Sequence, residues 1–311
     1  MNKIAINADT KIITFEKAPK DFDLESAKPH DLLRYGLPAI PKDSKARKRY
    51  HQVIGNVLKN FDYIGPEFEI VRPKSDLRAK KKAAITEGTD NLGNWSGGEV
   101  QAVQGFSWVS GEFTVPNVSA LSTPFKFLSS HWIGLGQGNV LQTGVECDAI
   151  LDGKKQKTSF YTWWEFFPFG PLVKITNFPA VPGDMLQLLI CSDSGNGSQG
   201  GTIYLTNVIR GLATSFHVEV AGASLDATWA EWISEIPAEN GPPVISVLAD
   251  FGQVYYSYCV AGLQDGGVMT VGDGNVVNMV VDVNNPTDVV CEGILLGDDV
   301  VRVRYLGPVP S

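Results

Sequence analysis

Two neighbouring stretches, Thr202-Ile-Tyr-Leu-Thr-Asn-Val208 and Phe216-His-Val-Glu-Val220, contain the pattern that decides the fold. Both are rich in β-branched and aromatic residues and are bounded by turn-forming residues, which is typical of β-strands. The same pattern returns at residues 276–283 and 300–305. From Asn91 onward, no stretch of about ten residues shows helical spacing. Short strands without interleaved helices predict an all-β protein, built as an antiparallel sandwich or barrel.

Composition and charge exclude several classes of protein. The chain has 311 residues, of which 43% are hydrophobic and 19% charged, and this balance is typical of a globular protein with a core. The formal net charge of −8 argues against nucleic acid as a partner, since phosphate binding needs a basic surface. No apolar stretch is long enough to cross a membrane, and the N-terminus lacks the apolar run of a secretory signal. The sequence therefore predicts no nucleic-acid or membrane partner and leaves the cellular location open.

Charge also divides the chain into two parts. Residues 1–90 carry 18 Lys and Arg against 13 Asp and Glu, whereas the remainder is strongly acidic. Within the basic part, residues 45–61 have the apolar spacing of a helix that Ser44 caps, and residues 32–37 read as extended. We therefore expect a basic, partly helical N-terminal extension over residues 1–90, followed by one domain over residues 91–311.

The familiar nucleophile and metal motifs are missing from the chain. None of the four histidines is paired at metal-ligand spacing, and neither a GxSxG elbow nor a P-loop is present, so we expect no metal and no cofactor. The four cysteines show no CxxC pairing that would indicate zinc. Of these, Cys259 and Cys291 lie near strands late in the chain and are predicted to form a disulfide. Chemistry based on carboxylates remains open.

Aromatic and carboxamide segments carry the chemical signal of the acidic part. In Phe160-Tyr-Thr-Trp-Trp-Glu-Phe-Phe-Pro168, strand alternation places Trp163, Glu165 and Phe167 on one face, with Trp164 and Phe166 on the other. A carboxylate between aromatic side chains is either a salt-bridged face residue or a group of a functional site. Four further segments accompany it in the chain: Asn94-Trp-Ser-Gly-Gly98, His131-Trp-Ile-Gly-Leu-Gly136, Leu141-Gln-Thr-Gly144 and Ala230-Glu-Trp-Ile-Ser-Glu235.

As an ordered set, these segments resemble the eqolisin family of glutamic peptidases over residues 92–306. The resemblance implies a lectin-like (concanavalin-like) antiparallel β-sandwich and an acid-acting endopeptidase that hydrolyses polypeptides, and we expect it to act as a monomer. It also implies a catalytic dyad of Gln142 and Glu235. Glu235 would activate water and then protonate the leaving amine, while Gln142 would stabilise the oxyanion of the tetrahedral intermediate.

The resemblance assigns supporting roles one residue at a time. Trp132 matches the family tryptophan beside the dyad, and Trp95 matches the tryptophan near the start of the catalytic domain. Glu165 matches a second glutamate close to the cleft, and Glu146 occupies a position where the family usually has an aspartate. Phe167 replaces a family tyrosine, which implies the loss of a hydrogen bond that positions substrate.

Two further departures concern the acidity of the site. The family often has aspartates where this chain has Gly136 and Tyr161. Fewer carboxyl groups in the cluster predict a less extreme acid optimum than is usual for the family.

Two other functions are compatible with the residues. The aromatic segment from Trp163 to Phe167 could bind carbohydrate or peptide without catalysis. Alternatively, Glu165 and Glu235 could form the carboxyl pair of a glycosidase.

Family members are commonly made with a propeptide, so the resemblance predicts that residues 1–90 are one. Its basic charge would neutralise the acidic domain, and the attraction would weaken as the carboxylates are protonated. The sequence does not identify the processing point, although the region around Lys80 to Asp90 is expected to be exposed. The alternative is an extension that packs permanently.

Overall fold

A computed structural model describes residues 2–73, 89–122, 126–237, 247–282 and 285–307. Within these ranges the chain forms two α-helices, α1 (Pro29–Arg34) and α2 (Ser44–Asn60), and one 3-10 helix, Val271–Asp273. The rest of the regular structure is β-strand. The strands in chain order are β1 (Asn2–Ala5), β2 (Thr10–Thr14), β3 (Asp62–Tyr63), β4 (Phe68–Arg72), β5 (Thr89–Leu92), β6 (Trp95–Gln101), β7 (Phe106–Thr114), β8 (Lys126–Leu135), β9 (Val140–Asp152), β10 (Lys155–Phe167), β11 (Leu172–Ile175), β12 (Met185–Ser192), β13 (Gly200–Asn207), β14 (Leu212–Val220), β15 (Trp229–Glu235), β16 (Val247–Leu248), β17 (Gln253–Leu263), β18 (Val268–Thr270), β19 (Asn275–Asp282), β20 (Asn285–Gly297) and β21 (Val300–Tyr305).

The strands form two sheets. Sheet A has the antiparallel order β1–β2–β14–β13–β12–β7–β17–β18, with β3 parallel to β14 at one edge. Sheet B has the antiparallel order β4–β11–β10–β9–β8–β15–β6–β19 and continues through β20 and β21 to the first half of β17. Strands β5 and β16 join sheet B in parallel. The predicted all-β sandwich is confirmed.

The main core lies between the two sheets. It is built from alternate residues of the facing strands, and its largest fully buried side chains include Phe113, Trp164, Phe166, Phe216 and Trp232. Each large apolar side chain buried in this way contributes about 1.5–3 kcal/mol. On strand β10, Trp164 and Phe166 face this core, whereas Trp163 belongs to a separate cluster on the opposite face of sheet B.

The N-terminal extension contributes strands to both sheets. Strand β2 pairs with β14 in sheet A, and Ile12 of β2 is part of the main core. Strand β4 pairs with β11 at the edge of sheet B. Helix α2 lies over sheet A, where Arg49 contacts Glu112 at 3.1 Å and stacks 3.7 Å from the ring centre of Tyr258. The extension is thus hydrogen-bonded into the sandwich on two sides.

The sequence predicted helix α2 of the extension, but it did not predict the correct cap of that helix or the presence of α1. The predicted helix is present, but Asp43 caps it, since its side chain accepts a hydrogen bond from the Ala46 N–H at 2.8 Å. The prediction of Ser44 as the cap was wrong by one residue. Residues expected to be extended form α1, a helix of a single turn and a half that starts at Pro29. The region around Lys80 to Asp90, which was expected to be exposed, lies almost entirely outside the described residues.

The predicted disulfide is absent, because all four cysteines are free thiols. Cys259 lies on β17 and Cys291 on β20, and strand β21 lies between these two strands. Two strand spacings amount to about 9–10 Å. A disulfide requires Cα atoms within about 7 Å, so the prediction of this pair was wrong.

Candidate active site

The site is built on the outer face of sheet B. Alternate residues of a strand share a face, so β9 presents Gln142, Gly144 and Glu146 on this side. The same register brings Glu165 opposite Gln142, and Trp132 opposite both Gly144 and Ile233. Because Ile233 and Glu235 share a face of β15, Glu235 also projects here. The structure therefore collects on one face the residues that the sequence singled out for catalysis.

Trp132 occupies the centre of this face. Its indole is fully buried, and its edge packs on Trp95 with the ring centres 5.1 Å apart at 80°. Two glycines make room for it: a Cβ on Gly134 would lie 2.9 Å from Trp132 Cζ3, and a Cβ on Gly144 would lie 2.6 Å from Trp132 Cβ. The glycines of the HWIG and LQTG segments therefore leave the space that the Trp132 indole occupies.

Glu235 is held by donors from two other segments of the chain. Its Oε2 accepts a hydrogen bond from Trp132 Nε1 at 2.8 Å, and its Oε1 accepts one from Asn94 Nδ2 at 3.2 Å. Burial raises the pKa of Glu235 above its ordinary value. Four groups oppose this rise in pKa by favouring the ionised form: the nearby indole N–H of Trp95, the charge of Arg72, and the hydrogen bonds from Trp132 and Asn94. The Trp95 N–H lies close to the carboxylate but does not reach standard hydrogen-bond geometry.

Gln142 and Glu165 form a buried pair across strands β9 and β10. The Gln142 Nε2–H donates to Glu165 Oε2 at 3.1 Å, and Gln142 Oε1 is buried without a hydrogen-bond partner. Burial raises the pKa of Glu165 to about 7, a rise that Arg72 and the Gln142 hydrogen bond oppose and Glu235 reinforces. The pair places a carboxamide donor in a dry environment, which is the setting in which such a donor is most effective.

Glu146 extends the carboxyl cluster. It lies in the same cross-strand row as Glu235, with Ser130 of β8 between them. Burial and the neighbouring charge of Asp148 both raise the pKa of Glu146, while Arg72 lowers it. Like-charged groups that share a buried site oppose one another's ionisation, so the titrations of these carboxyl groups are coupled.

The three positions that depart from the family have distinct surroundings. Gly136 has a φ of +101°, and a Cβ there would lie 2.0 Å from the carbonyl oxygen of Asn139. An aspartate therefore does not fit this turn. Tyr161 lies opposite Glu146, with Lys174 5.2 Å from its ring centre. Phe167 ends strand β10, is half-buried and offers no hydrogen-bonding group.

Sequence reasoning did not find two features of the site. One is Arg72, an extension residue whose charge acts on all three cleft glutamates. The other is a second carboxyl pair, Glu231 and Glu99, which are fully buried and directly opposite each other across β15 and β6. Glu99 accepts a hydrogen bond from Gln137 at 3.0 Å. Glu231 is the first glutamate of the AEWISE segment, and this was the sequence signal that could have indicated the carboxyl pair.

A β-sandwich face that gathers several buried glutamates around one glutamine is compatible with a hydrolase, and the class of protein follows from comparison with known families. The Peptidase A4 family matches residues 93–305, which is most of the chain. The chain belongs to this family, which comprises the glutamic peptidases or eqolisins, and it is a hydrolase of peptide bonds.

Individual relatives are consistent with this membership. Aspergillopepsin-2 of Aspergillus niger is 28% identical over 290 residues, which cover 86% of this chain and 94% of the relative. Scytalido-glutamic peptidase, crystallised with a transition-state analogue inhibitor, shares 23% identity with a TM-score of 0.56, over 69% of this chain and 98% of its own. SCP-B, an eqolisin in complex with the tripeptide Ala-Ile-His, shares 22% identity with a TM-score of 0.53 over the same fractions. The solved structures establish the shared fold.

Three of the four rings of the aromatic segment are buried, which argues against the carbohydrate-binding alternative. Trp164 and Phe166 are in the main core, and Trp163 is only 2% exposed. A stacking platform for sugars needs exposed ring faces, and these three rings do not provide one. The glycosidase alternative is set aside by the family membership.

Among the described residues, neither helix has the length and apolar character needed to cross a bilayer.

Proposed function

We propose that the protein is an acid-acting endopeptidase whose catalytic dyad is Gln142 and Glu235. The observation that carries the proposal is the position of Trp132. Its indole N–H holds Glu235 at one end, and its opposite edge lies over Gly134, which is the cross-strand neighbour of Gln142. One rigid ring thus separates a buried carboxyl from a buried carboxamide on the same face.

The reaction follows from the chemistry of the two groups. Ionised Glu235 takes a proton from water, and the resulting hydroxide oxygen bonds to the carbonyl carbon of the scissile peptide. The negative charge that develops on the carbonyl oxygen accepts a hydrogen bond from Gln142 Nε2, an effect worth about 3–4 kcal/mol. Protonated Glu235 then gives its proton to the leaving nitrogen as the C–N bond breaks. This transfer returns Glu235 to its ionised state and leaves a carboxylic acid and an amine as the products.

The other site residues support this chemistry. Trp132, Trp95 and Asn94 favour the ionised form of Glu235, as described above. Glu165 accepts a hydrogen bond from the Gln142 amide and so orients its nitrogen. Glu146 adds a third carboxyl, and Phe167 lies at the end of the strand that carries Glu165. With fewer carboxyls than the family usually has, we expect maximal activity in moderate rather than extreme acid.

We propose polypeptides as substrates. Two structural neighbours were crystallised with a transition-state analogue inhibitor and with a tripeptide, which supports this choice. We also expect the chain to work as a monomer without nucleic-acid or membrane partners. Residues 91–311 hold both dyad members and form the proposed catalytic unit.

The extension over residues 1–90 is either a propeptide or a permanent part. The crystallised relatives align with 69% of this chain, and Aspergillopepsin-2 with 86%, so the similarity to Aspergillopepsin-2 reaches beyond the matched domain. Incubation in acid followed by mass spectrometry of the active species separates the two roles. A full-length chain as the sole active species argues against a propeptide.

The function is tested by cleavage of an unfolded protein between about pH 2 and pH 7. Wild type and Glu235→Gln are compared, with Glu219→Gln as the control because Glu219 is an exposed residue of sheet A. We expect acid-range activity in wild type and Glu219→Gln and its loss in Glu235→Gln. Full activity in a folded Glu235→Gln variant, or no activity in wild type with or without residues 1–90, contradicts the proposal.

A further inference from the structure

Strand β4 brings a cation of the N-terminal extension to the edge of the proposed active site. Strand β4 pairs with β11, and β11 pairs with β10, which carries Glu165. The pairing of β4 with β11 contains a bulge: Ile70 lies opposite Val173, but Arg72 lies opposite Leu172. Val71 is therefore the extra residue in this strand.

The bulge determines which side chain faces the site. In an unbroken register, Val71 would lie opposite Leu172, and Arg72 would follow on the other face. The extra residue instead places Arg72 opposite Leu172, in keeping with the general use of bulges to redirect a side chain. Leu172 packs with Trp132 and Trp163 in the cluster on the active face.

Arg72 thereby ends a row of residues that runs through the site. Strand β10 pairs with β11 at Trp164 and Val173, and the next position of this register sets Glu165 across from Leu172. Glu165 in turn lies opposite Gln142. The row thus reads Arg72, Leu172, Glu165, Gln142, with one leucine between the arginine and the glutamate.

The charges that face this row come from every neighbouring strand. The acidic groups are Glu165 on β10, Glu146 and Asp148 on β9, Glu235 on β15 and Glu69 on β4. Of the nearby lysines, Lys126 is engaged with Asp148 at 3.6 Å, and Lys174 lies over the ring of Tyr161. Arg72 acts on Glu146, Glu165 and Glu235 together, and its attraction lowers the pKa of each against the rise that burial causes.

We propose that Arg72 is a positioning residue of the active site, and that the extension uses its charge beside Glu165 to favour the ionised form of the carboxyl cluster that includes Glu235. This inference rests on the proposed function, because it assigns Glu235 the role of base. A buried base must lose its proton before it can activate water, and the opposite charge favours that ionised state. It follows that the extension, at least through Arg72, is a working part of the enzyme.

The test compares full-length wild type with Arg72→Gln, Arg72→Lys and Lys11→Gln. Lys11 is an exposed extension residue paired into sheet A, so it controls for a loss of charge away from the site. The first readout is the pH dependence of kcat/KM for an unfolded protein substrate. The second is the NMR signal of the Trp132 indole N–H, which reports the ionisation of Glu235 without any need for activity. The signal is assigned with Trp132→Phe.

We expect Arg72→Gln to move two features to higher pH. One is the acid limb of the pH profile of kcat/KM, and the other is the titration seen in the NMR signal of the Trp132 indole N–H. On that limb, kcat/KM falls by roughly three- to tenfold, whereas Arg72→Lys shifts less and Lys11→Gln not at all. A folded Arg72→Gln variant with an unchanged Trp132 titration overturns the inference. So does higher activity with an unchanged titration, because a segment that merely blocks the cleft would behave in that way.

The experiments can contradict the peptidase assignment and the role of Arg72 independently of each other. If wild type cleaves nothing but the Trp132 signal still shifts in Arg72→Gln, the electrostatic link is upheld and the peptidase assignment is contradicted. If wild type cleaves and Glu235→Gln does not, but Arg72→Gln titrates as wild type does, the dyad stands and the role of Arg72 is refuted.

Discussion

Trp132 donates its indole N–H to Glu235 Oε2 at 2.8 Å, from a ring that is entirely buried. A hydrogen bond of this kind is stronger to the ionised carboxylate than to the protonated carboxyl group, so it favours ionisation. The contact therefore links the packing of one aromatic ring to the pH at which the proposed base becomes active.

Replacement of Trp132 by phenylalanine should move the acid limb of the pH–rate profile to higher pH. The variant loses the donor, so the pKa of Glu235 rises further, and kcat/KM on that limb should fall by about tenfold or more. Trp108→Phe on sheet A is the matched control and should leave the profile unchanged. An unshifted limb in a folded Trp132→Phe variant would show that the hydrogen bond does not govern the ionisation of Glu235.

Replacement of Gln142 by methionine should reduce kcat with little change in KM. Methionine has a similar length but no N–H, so it removes a donor that is used fully only in the transition state. We expect kcat to fall by about 10²–10³-fold. Steady-state kinetics beside the exposed variant Gln101→Met provide the check, and a change confined to KM would speak against the oxyanion role.

Replacement of Gly144 by alanine should destabilise the fold and abolish activity. The added Cβ would lie 2.1 Å from the carbonyl oxygen of His131 and 2.6 Å from Trp132 Cβ. We expect the free energy of unfolding in urea to drop by about 2–3 kcal/mol. Gly138→Ala is the control, because nothing lies within 4 Å of its added Cβ. Equal stability of the two variants would contradict this account of how Trp132 is seated.

His131 should make the protein less stable in acid. It is buried in the main core against Ser234 Oγ at 2.9 Å, and burial lowers its pKa from 6.5 to about 3. Between these values the unfolded chain binds a proton that the folded chain does not, so stability falls as pH decreases.

His131→Gln removes this titration. The loss of unfolding free energy between pH 7 and pH 4 should shrink by about 3 kcal/mol. Urea unfolding at the two pH values measures it, with His30→Gln as the control because the His30 side chain is 75% exposed. A pH dependence that stays the same in His131→Gln would assign the acid sensitivity to other groups.

Chemical counting of thiols should find four per chain in denaturant without a reductant, because all four cysteines are free. A reductant should also leave the melting temperature unchanged. A count of two would indicate one disulfide and would contradict the free state of the four thiols.

Local signals predicted most of the local structure. Strand alternation placed Trp163 and Trp164 on opposite faces of β10, since a period of two residues is contained in the segment itself. Helix α2 was evident from its spacing, but Ser44 and Asp43 are both good caps, and sequence alone does not separate neighbouring candidates. Helix α1 has only six residues, which is too short for a period to be recognised.

Long-range relationships explain what the sequence could not reveal. Gln142 and Glu235 were inferred from a family resemblance, and their common face depends on the pairing of β8, β9 and β15. Arg72 looked like one of many charges in a basic extension. Its place depends on a bulge at Val71 and on the pairing of β4 with β11, residues that are about one hundred positions apart. No local pattern encodes either feature.

The extension also covers both exposed ends of the sandwich. Strand β2 satisfies the free side of β14 in sheet A, and β4 satisfies the free side of β11 in sheet B. Without them, each sheet would end in a row of unpaired amide and carbonyl groups, the kind of template on which a second molecule can add a strand. We therefore expect a chain deprived of its first 72 residues to self-associate at two separate edges more readily than the full-length chain.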